Sequence, residues 1–145
     1  MMETIEIDDL VRDFYKAVSF RNEKAPDKDN VIILFYGDGI IINNSFKRPI
    51  GFTAESFVTS LESEIAEGTM SQFLIHELKG KTQVFGKLAH RVSVYEYNLG
   101  EETSGRLPHG VNYIQFTQLE GNWRIVSMVW CDENEDNMIP AEYMR

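Results

Sequence analysis

Residues 111–132, VNYIQFTQL-EGN-WRIVSMVWCD, decide the fold. Apolar side chains recur at every second position in Val111–Leu119 and in much of Trp123–Asp132, a period typical of β-strands. The linking residues Glu120-Gly121-Asn122 are short, polar and contain a glycine, as a tight hairpin requires. We therefore predict two antiparallel strands joined by this turn.

Two further strands precede this hairpin. The period of two continues through Phe73–Val84 and Leu88–Leu99, which a turn at Gly86-Lys87 separates. Gly100–Pro108 is rich in Gly, Glu, Thr and Ser and is predicted to be a polar loop. The second half of the chain is thus predicted to form four long antiparallel strands.

Apolar residues with the spacing of a helix are found in the first half of the chain. Asp27 or Asp29 is expected to cap a short helix that runs toward Phe35. Thr53 is the expected N-cap of a later helix, and Gly68 its end. The first helix of the chain carries an apolar stripe, which consists of Ile7, Leu10, Val11, Phe14 and Val18.

The remaining segments complete the order of elements. Gly37-Asp38-Gly39 predicts a turn, Ile40–Ile42 a short strand, and Asn43–Gly51 a loop or hairpin with an irregular second strand. The order is therefore α-α-β-(β)-α-β-β-β-β. Helices gathered ahead of an antiparallel meander define an α+β fold. We predict a single domain over residues 1–145, with the N-terminal helices packed on a strongly curved antiparallel sheet.

Both faces of the predicted sheet carry apolar side chains. An antiparallel sheet normally leaves one face to water, so the helices can cover one face and the other needs a further cover. We therefore predict a homodimer that packs through the outer face of the sheet. In the last strand the two sets are Ile125, Val129 and Cys131 on one face and Val126, Met128 and Trp130 on the other.

The composition of the chain limits which partners and which cellular compartment we expect. The chain has 145 residues, of which 43% are hydrophobic, and a formal net charge of −9. An acidic surface repels phosphate backbones and anionic lipid, so we expect no nucleic acid and no membrane as a partner. Cys131 is the only cysteine, which excludes an internal disulfide and fits a cytoplasmic location. The acidic start is unlike a secretory signal, and the longest apolar run, Val31–Tyr36, is too short to span a membrane.

Several segments together resemble a known superfamily. Phe35–Ile42 followed by Pro49–Phe57 is similar to the signature of nuclear-transport-factor-2-like proteins, also called SnoaL-like or cystatin-like. The remaining matches are to a bacterial subgroup of unknown function, and they lie at 84–90, 93–96, 110–115, 123–130 and 139–143. The resemblance implies a cone-shaped domain, usually dimeric, with a pocket between sheet and helices. Relatives include isomerases, cyclases, dehydratases and binding modules, so the fold alone assigns no function.

Three residues are candidates for proton transfer. Ketosteroid isomerases of this superfamily carry a catalytic aspartate late in the first strand. The resemblance places Asn43 at the position of this aspartate. Because an amide cannot act as a base, the isomerase mechanism does not transfer to this chain. His90 interrupts an apolar strand face, either as a general base or as a core or interface histidine with one hydrogen bond. Glu77 and Glu96 are candidate buried carboxylates, whose pKa desolvation would raise toward neutrality.

Polar residues inside apolar strands indicate a ligand pocket. Burying a polar group without a partner costs about 1–3 kcal/mol, so a ligand, or else an inter-strand network or polar dimer interface, must satisfy them. Because Asn112 and Gln115 are three positions apart, a regular strand cannot aim both inward. The candidate ligand-binding residues are Tyr15, Ser93, Tyr95, Asn112, Gln115 and Trp130.

Two functions therefore stay open from the sequence. The first is a small-molecule-binding domain for a partly apolar ligand, and the second is a lyase, isomerase or hydrolase that uses a pocket histidine or buried carboxylate. We expect no metal and no cofactor, since neither a metal-ligand spacing nor a phosphate-binding loop is present. His109 lies at a Pro-Gly turn and is expected to be exposed.

Overall fold

The computed structural model describes residues 2–100 and 105–145, so part of the predicted loop Gly100–Pro108 lies outside the described residues. In these ranges three α-helices accompany a sheet of six strands. No helix in the described ranges is long and apolar enough to cross a membrane. The helices are α1 (Met2–Val18), α2 (Lys28–Ile32) and α3 (Ala54–Ala66), and the strands are β1 (Phe35–Asn43), β2 (Ile50–Phe52), β3 (Leu74–Phe85), β4 (Leu88–Asn98), β5 (His109–Leu119) and β6 (Asn122–Asp132).

The helices α2 and α3 begin where the sequence predicts, whereas α1 begins at Met2, before the acidic pair Asp8 and Asp9 that is typical of a helix start. The side chain of Asp27 accepts the backbone N–H of Asp29 at the start of α2. Thr53 caps α3 and forms a reciprocal capping box with Ser56, an arrangement that satisfies two otherwise unpaired N–H groups. The helix α2 ends at Ile32, short of the predicted approach to Phe35.

The predicted α+β class is confirmed, and the sheet is mixed rather than wholly antiparallel. The strand order is β2-β1-β6-β5-β4-β3, and four of its five pairings are antiparallel. The exception is β1, which pairs in parallel with β6. These two strands are far apart in sequence, so no local sequence pattern predicts that they pair.

Irregularities in three strands reset which side chains share a face. Within β1, Gly37 and Gly39 have positive φ values and the register shifts between Phe35 and Ile40, so the predicted turn is a distortion inside a longer strand. On β6 an extra residue, Val126, lies opposite the Gln115–Phe116 step of β5. A bulge of this kind bends the strand. A third register shift lies between residues 77 and 79 of β3.

The bulge at Val126 corrects one prediction from the pattern. Ile125 pairs with Phe116 and is fully buried, as is Met128. The two therefore lie on the same inner face, which α1 and α3 cover, and not on opposite faces. The outer face is covered in part by the C-terminal segment, which ends in a short 3-10 helix, Ala141–Met144, that the sequence pattern did not predict.

Candidate functional site

A cavity of about 450 Å³ lies between the inner face of the sheet and the helices α1 and α3. Its walls are largely aromatic and aliphatic, with a few polar groups among them, which is the composition typical of small-molecule sites. Larger volumes, of about 810 and 670 Å³, are open grooves on the surface. The side chains of the cavity include Phe14, Tyr15, Asn43, Ser45, Phe46, Phe52, Phe57, Ser60, Glu64, Phe73, Tyr95, Tyr97, Asn112, Trp130 and Asp132.

Beside the cavity, Arg91 is a buried cation with two acidic partners. Its Nε donates to Glu77 Oε2 at 3.0 Å, and Nη1 donates to Asp8 Oδ1 at 2.6 Å. Burial by itself would lower the pKa of Arg91, but the hydrogen bonds and charges of Glu77 and Asp8 raise it above its ordinary value. Gly80 leaves space for this group, because a Cβ at this position would overlap the guanidinium.

A chain of hydrogen bonds continues from Glu77 to the cavity. The Ser93 hydroxyl donates to Glu77 Oε2 at 2.6 Å. The Tyr15 hydroxyl lies 2.8 Å from Ser93 Oγ, and Asn112 Nδ2 donates to the Tyr15 hydroxyl at 3.3 Å. Ser93, Tyr15 and Asn112 are almost completely buried. The chain therefore connects a buried ion pair to the cavity wall entirely through side chains.

Asn112 ends this chain with an unsatisfied atom. The side chain is 1% exposed, it lines the cavity, and its Oδ1 has no hydrogen-bond partner. Within the described ranges, the other buried side-chain atom in this condition is Nε1 of Trp123. An unpaired buried acceptor costs about 1–3 kcal/mol, and a hydrogen-bond donor in the cavity would remove that cost.

A second polar group of the cavity is Asp132, at the end of β6. Its two carboxylate oxygens accept the hydroxyl groups of Tyr95 and Tyr97, each at 2.6 Å. Burial, together with the bond and charge of Asp132, raises the pKa of both phenols, so they stay protonated. The ring of Tyr95 reaches Asp132 across Gly110, where a Cβ would overlap it.

The structure gathers four of the six ligand-binding candidates at the cavity. Tyr15, Tyr95, Asn112 and Trp130 line it. Ser93 is buried behind them, bonded to Tyr15. The sixth candidate, Gln115, does not line the cavity, and a role for any of the six in ligand binding stays a prediction.

Gln115 and His90 lie on the outer face of the sheet. They are neighbours across β4 and β5 in the same register pair, and both line a shallow surface groove rather than the cavity. The His90 ring bonds to the side chain of Gln83 at 2.7 Å. The parity of β5, with Asn112 inward, explains why Gln115 points outward.

The two carboxylate candidates also lie outside the cavity. Glu77 is held by Arg91 and Ser93. Glu96 faces two histidines, with Nε2 of His76 at 3.4 Å and Nε2 of His109 at 3.1 Å. His109 is 9% exposed, so the expectation that it would be exposed is wrong: its ring packs against this carboxylate and the backbone carbonyl of Leu107.

Sequence reasoning missed Asp132, Tyr97 and Glu64 as cavity residues. Asp132 follows Trp130 by two positions and therefore shares its face, so the period of the strand contained the signal. An acidic residue at the end of a strand is more commonly exposed to solvent, so the residue type of Asp132 does not indicate a cavity. Glu64 lies on α3, and its place at the cavity depends on how that helix packs on the sheet.

Comparison with solved structures establishes the fold. A cystatin-like protein of unknown function from Nostoc punctiforme has a TM-score of 0.70 at 16% identity, covering 92% of this chain and 93% of that one. A nuclear-transport-factor-2-like protein of unknown function from Pseudomonas putida has a TM-score of 0.68 at 14% identity, covering 96% and 94%. An uncharacterised cystatin-like protein from Caulobacter vibrioides has a TM-score of 0.69 at 16% identity, covering 94% and 93%.

These similarities confirm the predicted resemblance at the level of the fold. The covered shares are nearly complete on both sides, so the likeness extends over the whole domain. No protein-family model matches the sequence, and no curated protein matches it. Identities this low leave function to be argued from the site itself.

Alkaline pH provides a test of the buried chain. Burial, partly offset by the bonds to Ser93 and Asn112, raises the pKa of Tyr15 from 10.0 to about 12. Between these two values the unfolded phenol ionises and the folded one does not, so the free energy of unfolding should fall as pH rises from about 10 to about 12. For two pKa units the fall is about 2–3 kcal/mol.

Urea unfolding across this pH range measures the effect, and Tyr15→Phe is the matched variant. Its free energy of unfolding should depend less steeply on pH, since one buried phenol has been removed. Tyr95 and Tyr97 keep their own contribution in both proteins. Equal slopes for the two proteins would show that the Tyr15 hydroxyl is not held as described.

Proposed function

We propose that this domain, which has the nuclear-transport-factor-2-like (cystatin-like) fold, binds a small, partly apolar molecule in the cavity between its sheet and helices. The observation that carries the proposal is the unpaired Oδ1 of Asn112, buried at the cavity wall. A polar atom left in this state is rare in native proteins. A bound molecule with a hydrogen-bond donor explains why the position holds an amide where a branched apolar residue would pack better.

Size and wall chemistry support the same proposal. A volume of about 450 Å³ falls in the range of about 300–1,000 Å³ that small-molecule sites occupy. Phe57 packs edge-on against both Phe52 and Trp130, with ring centroids 5.6 and 5.4 Å apart. These rings offer a molecule apolar surface in an orientation that their own packing fixes.

Binding is favoured over catalysis by the positions of the catalytic candidates. His90 lies on the outer face, Glu77 is occupied by Arg91, and Glu96 faces His76 and His109. The phenols of Tyr95 and Tyr97 have raised pKa values and donate to Asp132, so they are poorly suited to accept a proton. The residues that the sequence suggested for proton transfer therefore do not line the cavity.

Filling the cavity with a larger side chain should weaken binding. Ser60 lines the cavity from α3, whereas Ser63, three residues later on the same helix, is exposed. With 3-phenylpropan-1-ol as a neutral probe, NMR spectra of the native protein should show shifts that cluster at Asn112 and Trp130. Ser60→Trp should weaken this binding by about tenfold or more, because the indole occupies the space and the lost apolar contacts are worth more than about 1.4 kcal/mol.

The control is Ser63→Trp, which adds the same side chain to the same helix outside the cavity. It should bind the probe as the native protein does. Shifts that cluster on the outer face, or equal binding by both variants, would contradict the proposal.

We also propose that the outer face of the sheet joins two copies of the chain. Tyr113 is 50% exposed and Val129, its partner across β5 and β6, is 36% exposed. The C-terminal segment covers only part of this face: the Tyr143 hydroxyl bonds to that of Tyr113 at 2.6 Å, and Lys81 donates to the carbonyl of Glu142. The exposed apolar surface that remains is the kind that a subunit interface buries.

Sedimentation at micromolar concentration tests this association. The native protein should sediment as a dimer and Val129→Arg as a monomer, because the new charge would be buried without a partner. Ile33→Arg, at an exposed position after α2, should remain a dimer. A native protein that is monomeric throughout the micromolar range would rule out the interface.

A further inference from the structure

The direction of each hydrogen bond in the buried chain follows from its first member. The carboxylate of Glu77 accepts and cannot donate, so the single proton of Ser93 goes to it. The Tyr15 hydroxyl must then donate to Ser93 Oγ, and its own oxygen accepts from Asn112 Nδ2. This order of donors and acceptors fixes the orientation of the Asn112 amide, with Nδ2 toward the Tyr15 hydroxyl. The atom of this amide left without a partner is therefore Oδ1, a hydrogen-bond acceptor.

Asp132 presents acceptors to the same cavity. The protons of Tyr95 and Tyr97 both point to its carboxylate, so neither phenol has a proton left for a ligand. Each carboxylate oxygen still has a free lone pair. Asn112 pairs with Trp130 across β5 and β6, and Asp132 is two residues further along the same face. Such diagonal neighbours lie about 7–8 Å apart along the sheet, and both side chains line the same cavity.

The charges and rings at the cavity agree with these acceptors. Two carboxylates, those of Asp132 and Glu64, line the cavity, and none of its described lining residues is Lys, Arg or His. The amide of Asn43 and the hydroxyl of Ser45 can donate, but both are neutral and half-buried. Aromatic faces such as that of Trp130 attract cations through the charge distribution of the ring. An anion would meet carboxylates without a compensating positive charge.

We infer that the cavity selects a partly apolar organic cation, an amine that is protonated at neutral pH, over neutral or anionic molecules of the same shape. This inference rests on the proposed ligand-binding function and adds the chemical class of the ligand. The ammonium group lies between Asn112 Oδ1 and the Asp132 carboxylate, and the apolar part lies against the aromatic walls.

Three probes of one shape separate the possibilities: 3-phenylpropylamine, 3-phenylpropan-1-ol and 3-phenylpropanoate, titrated calorimetrically at fixed ionic strength. The amine should bind the native protein about tenfold or more tightly than the alcohol, which is the effect of one charge-assisted hydrogen bond. The propanoate should bind weakest. Asp132→Asn should bring the amine close to the alcohol and leave the affinity for the alcohol nearly unchanged.

The control for this variant is Asp136→Asn, which removes one negative charge at an exposed position four residues later. It should keep the preference for the amine, so a loss confined to Asp132→Asn assigns the effect to the cavity and not to net charge. If the alcohol or the propanoate binds the native protein as tightly as the amine, the inference is wrong and the proposed function stands. If no probe binds, or if Ser60→Trp leaves all binding unchanged, the proposed function fails with it.

Discussion

The ion pair between Arg91 and Glu77 is the interaction on which the candidate site depends. Arg91 is 5% exposed, and removing a partner from a buried charge is destabilising because the charge that remains is less well compensated. This pair holds the Glu77 carboxylate in position, and Glu77 in turn orients Ser93, Tyr15 and finally the amide of Asn112. A charged pair outside the cavity thereby sets the hydrogen-bonding character of the cavity wall.

Two glycines make this arrangement sterically possible. Gly80 leaves space for the guanidinium of Arg91, and Gly110 leaves space for the ring of Tyr95 on its way to Asp132. Both lie inside strands, where glycine weakens the strand and commonly marks a close approach. The sheet therefore gives up local stability at two places, and in each case a polar side chain reaches its partner.

The helices, the strands and the inward polar positions could be predicted from the sequence, because each follows from the spacing of apolar residues within one helix or strand. The helical stripe from Ile7 to Val18, the period of two along β3 to β6, and the interruptions at Ser93 and Asn112 are all visible in one strand or helix at a time. What could not be predicted depends on contacts between distant segments: the parallel pairing of β1 with β6, the bulge at Val126, and the meeting of Arg91 with Glu77 and Asp8. The outward position of Gln115 shows the limit of local reasoning, since its residue type suggested the pocket and its parity placed it on the other face.

If Arg91 positions the buried chain that ends at Asn112, displacing Arg91 should weaken amine binding, and the affinity of Gly80→Ala for 3-phenylpropylamine measures this effect. Gly80 does not line the cavity, but an added Cβ displaces the guanidinium of Arg91. The matched control is Gly51→Ala, where a Cβ meets no atom within 4 Å. Gly80→Ala should fold, shift the Arg91 Nε resonance and bind the amine about tenfold more weakly, whereas Gly51→Ala should bind as the native protein does. Unchanged amine affinity in Gly80→Ala, with the Arg91 resonance clearly shifted, would show that Arg91 does not act on the cavity.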